Sequence, residues 1–169
     1  MTSATITAPR TTVTSDAIAI DKLTVTFSSK RSTVTAVDDV SLRVADGEFV
    51  SIAGPSGCGK STLLKVVAGL TEATPGEVRL RGNAVRGPQR EIGYVFQRAA
   101  LLEWRSVRRN ILLQAEMRGM PRKNAQARCD YLIEMTGLTG FENALPHELS
   151  GGMQQRVSLC RALLHEPGV

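Results

Sequence analysis

Gly54, Pro55, Ser56, Gly57, Cys58, Gly59, Lys60 and Ser61 follow one another, with Thr62 next. The row satisfies G-x-x-x-x-G-K-[ST] at each fixed position. Glycines let the backbone curl, so that successive N–H groups point at one anion. A helix starting beyond Gly59 adds the positive end of its dipole. Lys60 is then placed to reach the β- and γ-phosphates of ATP. Ser61 is placed to put its hydroxyl on Mg²⁺, and Thr62 to support the phosphates. The plainer alternative is a glycine-rich turn that carries a lysine. Cys58 has two readings, a small tolerated side chain or a thiol made reactive by Lys60 and the helix end.

A second row is Leu149-Ser150-Gly151-Gly152-Met153-Gln154-Gln155-Arg156. Ser150 suits a helix N-cap. Gly151 and Gly152 are costly inside a helix unless something must approach closely. Together they make a second helix end suited to an anion. A phosphate loop alone does not choose between a kinase, a GTPase, a helicase and a transport ATPase. This row does, because it resembles the signature sequence of ABC transporter ATPases.

The resemblance implies an α/β fold: the ABC-type nucleotide-binding domain of the P-loop NTPases. That domain combines an antiparallel β subdomain, a RecA-like core and a helical insert. It implies that ATP lies between two head-to-tail subunits, Ser150, Gly151, Gly152 and Gln154 of one facing the phosphate loop of the other. Gln97 resembles the glutamine that contacts Mg²⁺ and the attacking water. Phe27 is placed like the aromatic that stacks on adenine; a core phenylalanine of a strand is the alternative. The stretch Ala100-Leu101-Leu102-Glu103-Trp104-Arg105, with Val107 and Asn110-Ile111, resembles the start of the helical subdomain that docks integral membrane permease subunits. Trp104, the only tryptophan, suits an interface anchor and core packing alike. The two motifs together with Leu102-Glu103-Trp104 and Pro146-His147 are most similar to the nitrate, sulfonate and taurine importers, where proline usually stands at Glu103. His147 is a positional marker in this reading. The implied function is ATP binding and, in the complete protein, hydrolysis that powers import. A periplasmic or lipoprotein solute-binding protein would be an indirect partner. The location would be peripheral, at the cytoplasmic face of the inner membrane.

These residues need elements to hold them. Leu23, Val25 and Phe27 alternate with threonines, and Val40, Leu42 and Val44 repeat the pattern, so two half-buried strands are expected. Asp46-Gly47 predicts a hairpin into a strand over Glu48–Ala53. Lys60–Ala68 reads as a short helix stopped by Gly69. Short strands are expected over Glu77–Arg81 and Ile92–Phe96. Val107, Ile111, Leu112 and Ala115 sit at helical spacing. Pro121 opens another helix with the stripe Ala125, Cys129, Leu132 and Met135, closed by Gly137. A last helix from Ser150 carries Met153, Val157, Cys160 and Leu164. Residues 1–17 read as a disordered tail and 18–169 as the domain, its helical subdomain at about 100–150.

Composition sets outer limits. The chain has 169 residues, 42% hydrophobic and 22% charged, enough for a domain with a real core. A net charge of +5, spread along the chain, suits solvated faces and an anionic ligand better than nucleic acid. Three scattered cysteines form no disulfide framework. The amino-terminal residues lack the apolar stretch of a secretory signal. In the family, His165-Glu166-Pro167 leads into a buried strand ending in an aspartate that orders Mg²⁺ and a glutamate that acts as base. The resemblance stops at Val169, so the expectation is a chain incomplete at its C-terminus, hydrolysis-incompetent and poorly soluble alone. A non-catalytic remnant or another P-loop NTPase is the alternative.

Overall fold

The computed structural model describes residues 5–7, 16–29, 32–72 and 75–169. It divides into two compact units, with the sequence boundary between Gln89 and Arg90.

The first unit is built on a long hairpin. Strands β2 (Asp16–Ser28) and β3 (Thr33–Ala45) pair antiparallel from Asp16↔Ala45 to Ser28↔Thr33. Strand β5 (Glu77–Leu80) pairs on the other side of β2, and β6 (Asn83–Ala84) follows, giving the order β3-β2-β5-β6. Ile20, Leu23 and Val25 of β2 are inside, with Val37, Val78 and Leu80; an irregularity in the strand at Lys22 (φ +46) shifts the alternation so that Ile20 and Leu23 share a face. Helix α1 (Lys60–Val67) packs Leu63, Val66 and Val67 and touches β3 and β5. Each such buried side chain contributes about 1.5–3 kcal/mol. Gly69 ends the helix as expected, at φ +71. A Cβ there would lie 1.8 Å from the Gly87 carbonyl oxygen, so only glycine fits.

Two strand expectations need correction. Asp46-Gly47 does turn the chain, but no hairpin follows. Glu48–Val50 leave the ladder, and the strand shortens to β4 (Ser51–Ala53). Its partner is β1 (Thr5–Thr7), with Ile6 opposite Ile52. The turn is closed locally by Glu48, whose carboxylate accepts the Ala45 N–H at 2.8 Å. Local turn chemistry is therefore right and the long-range pairing wrong. Of the tail expected at 1–17, residues 1–4 and 8–15 lie outside the described residues, Thr5–Thr7 form β1, and Asp16 and Ala17 already belong to β2.

The second unit is helical: α2 (Val107–Arg118), α3 (Arg122–Met135) and α4 (Gly151–Leu163). A 3-10 turn at Pro146–Glu148 precedes α4. The core holds Val107, Ile111, Ala125, Cys129, Leu132, Leu138, Val157, Cys160 and Leu164. Met135 departs from the expected stripe: it is exposed, and Ile133 is buried instead. At 3.6 residues per turn Met135 falls beside the stripe of Ala125, Cys129 and Leu132, and the core takes Ile133 on its other side. Ile92–Phe96 is not a strand. Only Ile92 is bracketed in the parallel manner: the Val169 N–H donates to the Glu91 oxygen at 3.2 Å, and the Gly93 N–H to the Val169 oxygen at 2.8 Å. Among the described residues Tyr94–Phe96 have no ladder partner.

Candidate functional site

The phosphate loop lies in the first unit, between β4 and α1. Gly57 and Gly59 adopt φ +82 and +93, on either side of Cys58. Gly59 is the N-cap residue of α1, and no side chain caps the helix. The first amides of a helix have no intrahelical acceptor, so the end of α1 presents N–H donors and a positive dipole. A Cβ on Gly59 would lie 2.1 Å from the Ala36 carbonyl oxygen, so β3 holds the loop from behind.

Lys60 closes over the loop. Its Nζ donates to the carbonyl oxygens of Gly54 (2.8 Å) and Pro55 (2.7 Å) and lies 3.5 Å from Cys58 Sγ. An ammonium is thus held against the carbonyls that open the loop. Gly54, Pro55, Ser56, Gly57 and Ser61 are exposed; Cys58, Gly59 and Thr62 are half-buried. Phe27, in the same unit, is 50% exposed and pairs across the hairpin with Val34. It is no core residue, and half of it is open to solvent.

The second row lies in the other unit. Ser150 is the N-cap of α4, its Oγ accepting the Met153 N–H at 3.3 Å. Gly151 and Gly152 are exposed, and a Cβ at either would meet nothing within 4 Å. Gln154 turns back from this end: its Nε2 donates to the Pro146 oxygen at 2.8 Å. Gln97 has an exposed side chain, while its backbone oxygen accepts the Gln155 Nε2. Trp104 is 75% exposed, which removes core packing as its role.

Sequence reasoning assigned no role to Asn110, Gln155 or Arg161, which bind the backbone of residues 97–106. A signal was present. Asn110 and Arg161 are polar residues set among Val107, Ile111, Val157, Cys160 and Leu164 on helices whose inner faces, Ser158 apart, are otherwise apolar.

Among the described residues no three His, Cys, Asp or Glu side chains cluster to hold a metal. Ser61 and Gln97 are neutral oxygen donors. Each by itself is the kind of ligand that Mg²⁺ takes, an ion that keeps several waters and binds largely through a nucleotide's phosphates.

The cysteines divide sharply. Burial pushes the Cys129 thiol up to about 11 and raises that of Cys160. Both are fully buried, while Cys58 is half-buried in the loop. A maleimide should therefore modify one thiol of the folded chain quickly, and the other two only on unfolding. MgATP should slow the fast reaction. Equal rates for all three thiols, or no effect of MgATP, would contradict this.

Comparisons with known proteins point one way. The ABC transporter family matches residues 37–169. The chain is 48% identical over 136 residues to a taurine import ATP-binding protein of Roseobacter denitrificans, covering 80% of this chain and 51% of that protein. It is 44% identical over 135 residues to an aliphatic sulfonates import ATP-binding protein of Bacillus subtilis, covering 80% and 52%. The chain spans about half the length of the curated relatives it matches. Among solved structures it resembles a dimeric ATP-binding cassette in a post-hydrolysis state, bound to ADP and Pi. There the TM-score is 0.80 and the identity 32%, covering 89% of this chain and 70% of that one.

Proposed function

This chain belongs to the ABC transporter family, and on that premise we propose that it is the ATP-binding portion of a subunit powering import of a small anion such as nitrate, a sulfonate or taurine. The observation that carries the reading is the loop itself: left-handed Gly57 and Gly59, an uncapped α1, and the Lys60 ammonium drawn to the carbonyls that open it. Each of these supports holding a polyphosphate.

In this reading the β- and γ-phosphates compete with the Gly54 and Pro55 carbonyls for Lys60. A charged oxygen is the stronger acceptor, so the ammonium moves from carbonyl to phosphate with little rearrangement. The amides at the start of α1 bind the same oxygens. Mg²⁺, when bound, offsets the charge that gathers on the phosphates. Ser61 would contribute a hydroxyl to it, and Gln97, by its family resemblance, would offer an amide oxygen and orient water. Phe27 offers a face to adenine.

The end of α4 serves a second copy of the chain. Ser150, Gly151 and Gly152, with Gln154 behind them, would meet the γ-phosphate held by the other protomer, and a head-to-tail dimer makes two such sites. The dimeric cassette neighbour supports this assembly. Exposed Trp104 supports docking to permease subunits at the cytoplasmic membrane surface. A solute-binding protein would deliver the anion to that permease. No helix among the described residues is long and apolar enough to cross a membrane.

Calorimetric titration with MgATP tests the reading. A dissociation constant in the micromolar range is expected, since several charge-assisted contacts at about 1.5–3 kcal/mol each together reach the roughly 6–8 kcal/mol that it requires. A folded chain that gives neither heat nor a thermal shift with MgATP would overturn it.

A further inference from the structure

Residues 97–106 belong to neither helix nor strand, yet their backbone is gripped from two sides. Gln155 of α4 donates from Nε2 to the Gln97 oxygen at 2.5 Å. Arg161, two turns on, donates from Nη2 to the Ala99 oxygen and from Nη1 to the Ala100 oxygen, both at 2.9 Å. From α2, Asn110 accepts the Leu102 N–H at 2.8 Å and donates to the oxygens of Leu102 (3.1 Å), Arg105 (2.8 Å) and Ser106 (3.2 Å). Asn110 is fully buried. Ala100, whose carbonyl Arg161 holds, stands at φ +46, a conformation that side chains avoid.

Arg161 is the unusual member. Its guanidinium is partly desolvated, and burial lowers its pKa. No carboxylate among the described residues lies within 4.0 Å of it. Carbonyl dipoles return only part of what a charge loses on leaving water. An apolar side chain would pack this face of α4 at lower cost. The fork does what no apolar side chain can: it ties two successive carbonyls of an irregular segment to one point on a helix.

We propose that Arg161 is a positioning residue that fixes the segment from Gln97 to Trp104 onto α4. The exposed tryptophan and the segment's glutamine are then carried by the helix that begins at Ser150. What this linkage would serve, nucleotide-dependent movement of a docking surface, rests on the proposed function; the grip itself needs no nucleotide.

The test uses the full chain without ATP. Arg161→Met keeps the length and removes charge and donors. Amide exchange at Leu102 should quicken at least about tenfold, since exchange follows local stability and the loss of two hydrogen bonds lowers it. The fluorescence anisotropy of Trp104, the sole tryptophan, should fall. Exchange at Ile111 and Leu132, in the helical core, should not change. Arg161→Lys, which cannot span both carbonyls, should recover part of the effect. A uniform quickening at all three amides would make Arg161 a packing residue and overturn the proposal, and so would no change at Leu102. If Arg161→Met does not fold, the wild-type chain decides. Separate, slowly exchanging Nη–H signals from Arg161 are expected, and one averaged signal overturns the grip. Failure of ATP binding would leave these outcomes untouched and count only against the proposed function.

Discussion

Lys60→Ala should weaken MgATP binding about a hundredfold, as expected for losing charge-assisted contacts to two phosphates. The folded chain should lose little stability in the same variant. Lys60 is half-buried, and what it gives up without nucleotide are two hydrogen bonds to the Gly54 and Pro55 oxygens. Those oxygens can turn to water, so the net cost is about 1 kcal/mol at most. Lys60→Arg should fall between the two. It keeps the charge but brings a wide planar fork to a place where a compact ammonium sits among closely spaced oxygens. Titration calorimetry gives the affinities, and thermal unfolding without nucleotide gives the stabilities. An unchanged affinity in Lys60→Ala would mean that the loop is not a phosphate site. A large loss of stability would mean that the lysine serves the fold first.

The loop was readable because its chemistry is local. Eight consecutive residues specify two left-handed glycines, an uncapped helix start and the lysine that reaches back over them. Helix stops at Gly69 and Gly137 were readable for the same reason, each set by one residue at positive φ. The core stripes of α2 and α4 followed from spacing alone. What escaped was non-local. Asp46-Gly47 makes its turn, but pairing of β4 with β1 is decided by residues more than forty positions away. Ile92–Phe96 has the composition of a strand, and composition cannot supply a neighbour. Met135 is apolar and three residues beyond Leu132, but the core face of α3 drifts the other way and takes Ile133. Asn110 and Arg161 escaped for a different reason. Their partners are backbone carbonyls and amides, which no side-chain pattern in the sequence announces. Only their polarity in an apolar setting hinted at a role.

Gly151→Ala and Gly152→Ala should separate stability from function in opposite directions. Both positions lie in the first turn of α4, neither has positive φ, and an added Cβ would touch nothing within 4 Å. Alanine costs less conformational entropy than glycine in a helix, so each change should stabilise the second unit by up to about 0.5–1 kcal/mol. A fold selected for stability alone would not keep two glycines there. Their use lies in what they leave open: a helix end where, beyond the Ser150 hydroxyl on the Met153 N–H, no side chain of their own stands in front of the N–H donors. In the proposed sandwich, the γ-phosphate held by the other protomer must come within hydrogen-bond distance of that end. Two methyl groups would keep it away. The double variant should therefore melt higher than the parent while its ATP-dependent self-association falls at least about tenfold, the factor that 1.4 kcal/mol of lost contact corresponds to. Sedimentation velocity with and without ATP measures the association, and ATP binding to the single protomer through Lys60 should be unaffected. Undiminished association in the double variant would remove the end of α4 from the nucleotide site. A lower melting temperature would mean that the glycines serve the backbone of α4 rather than the space in front of it.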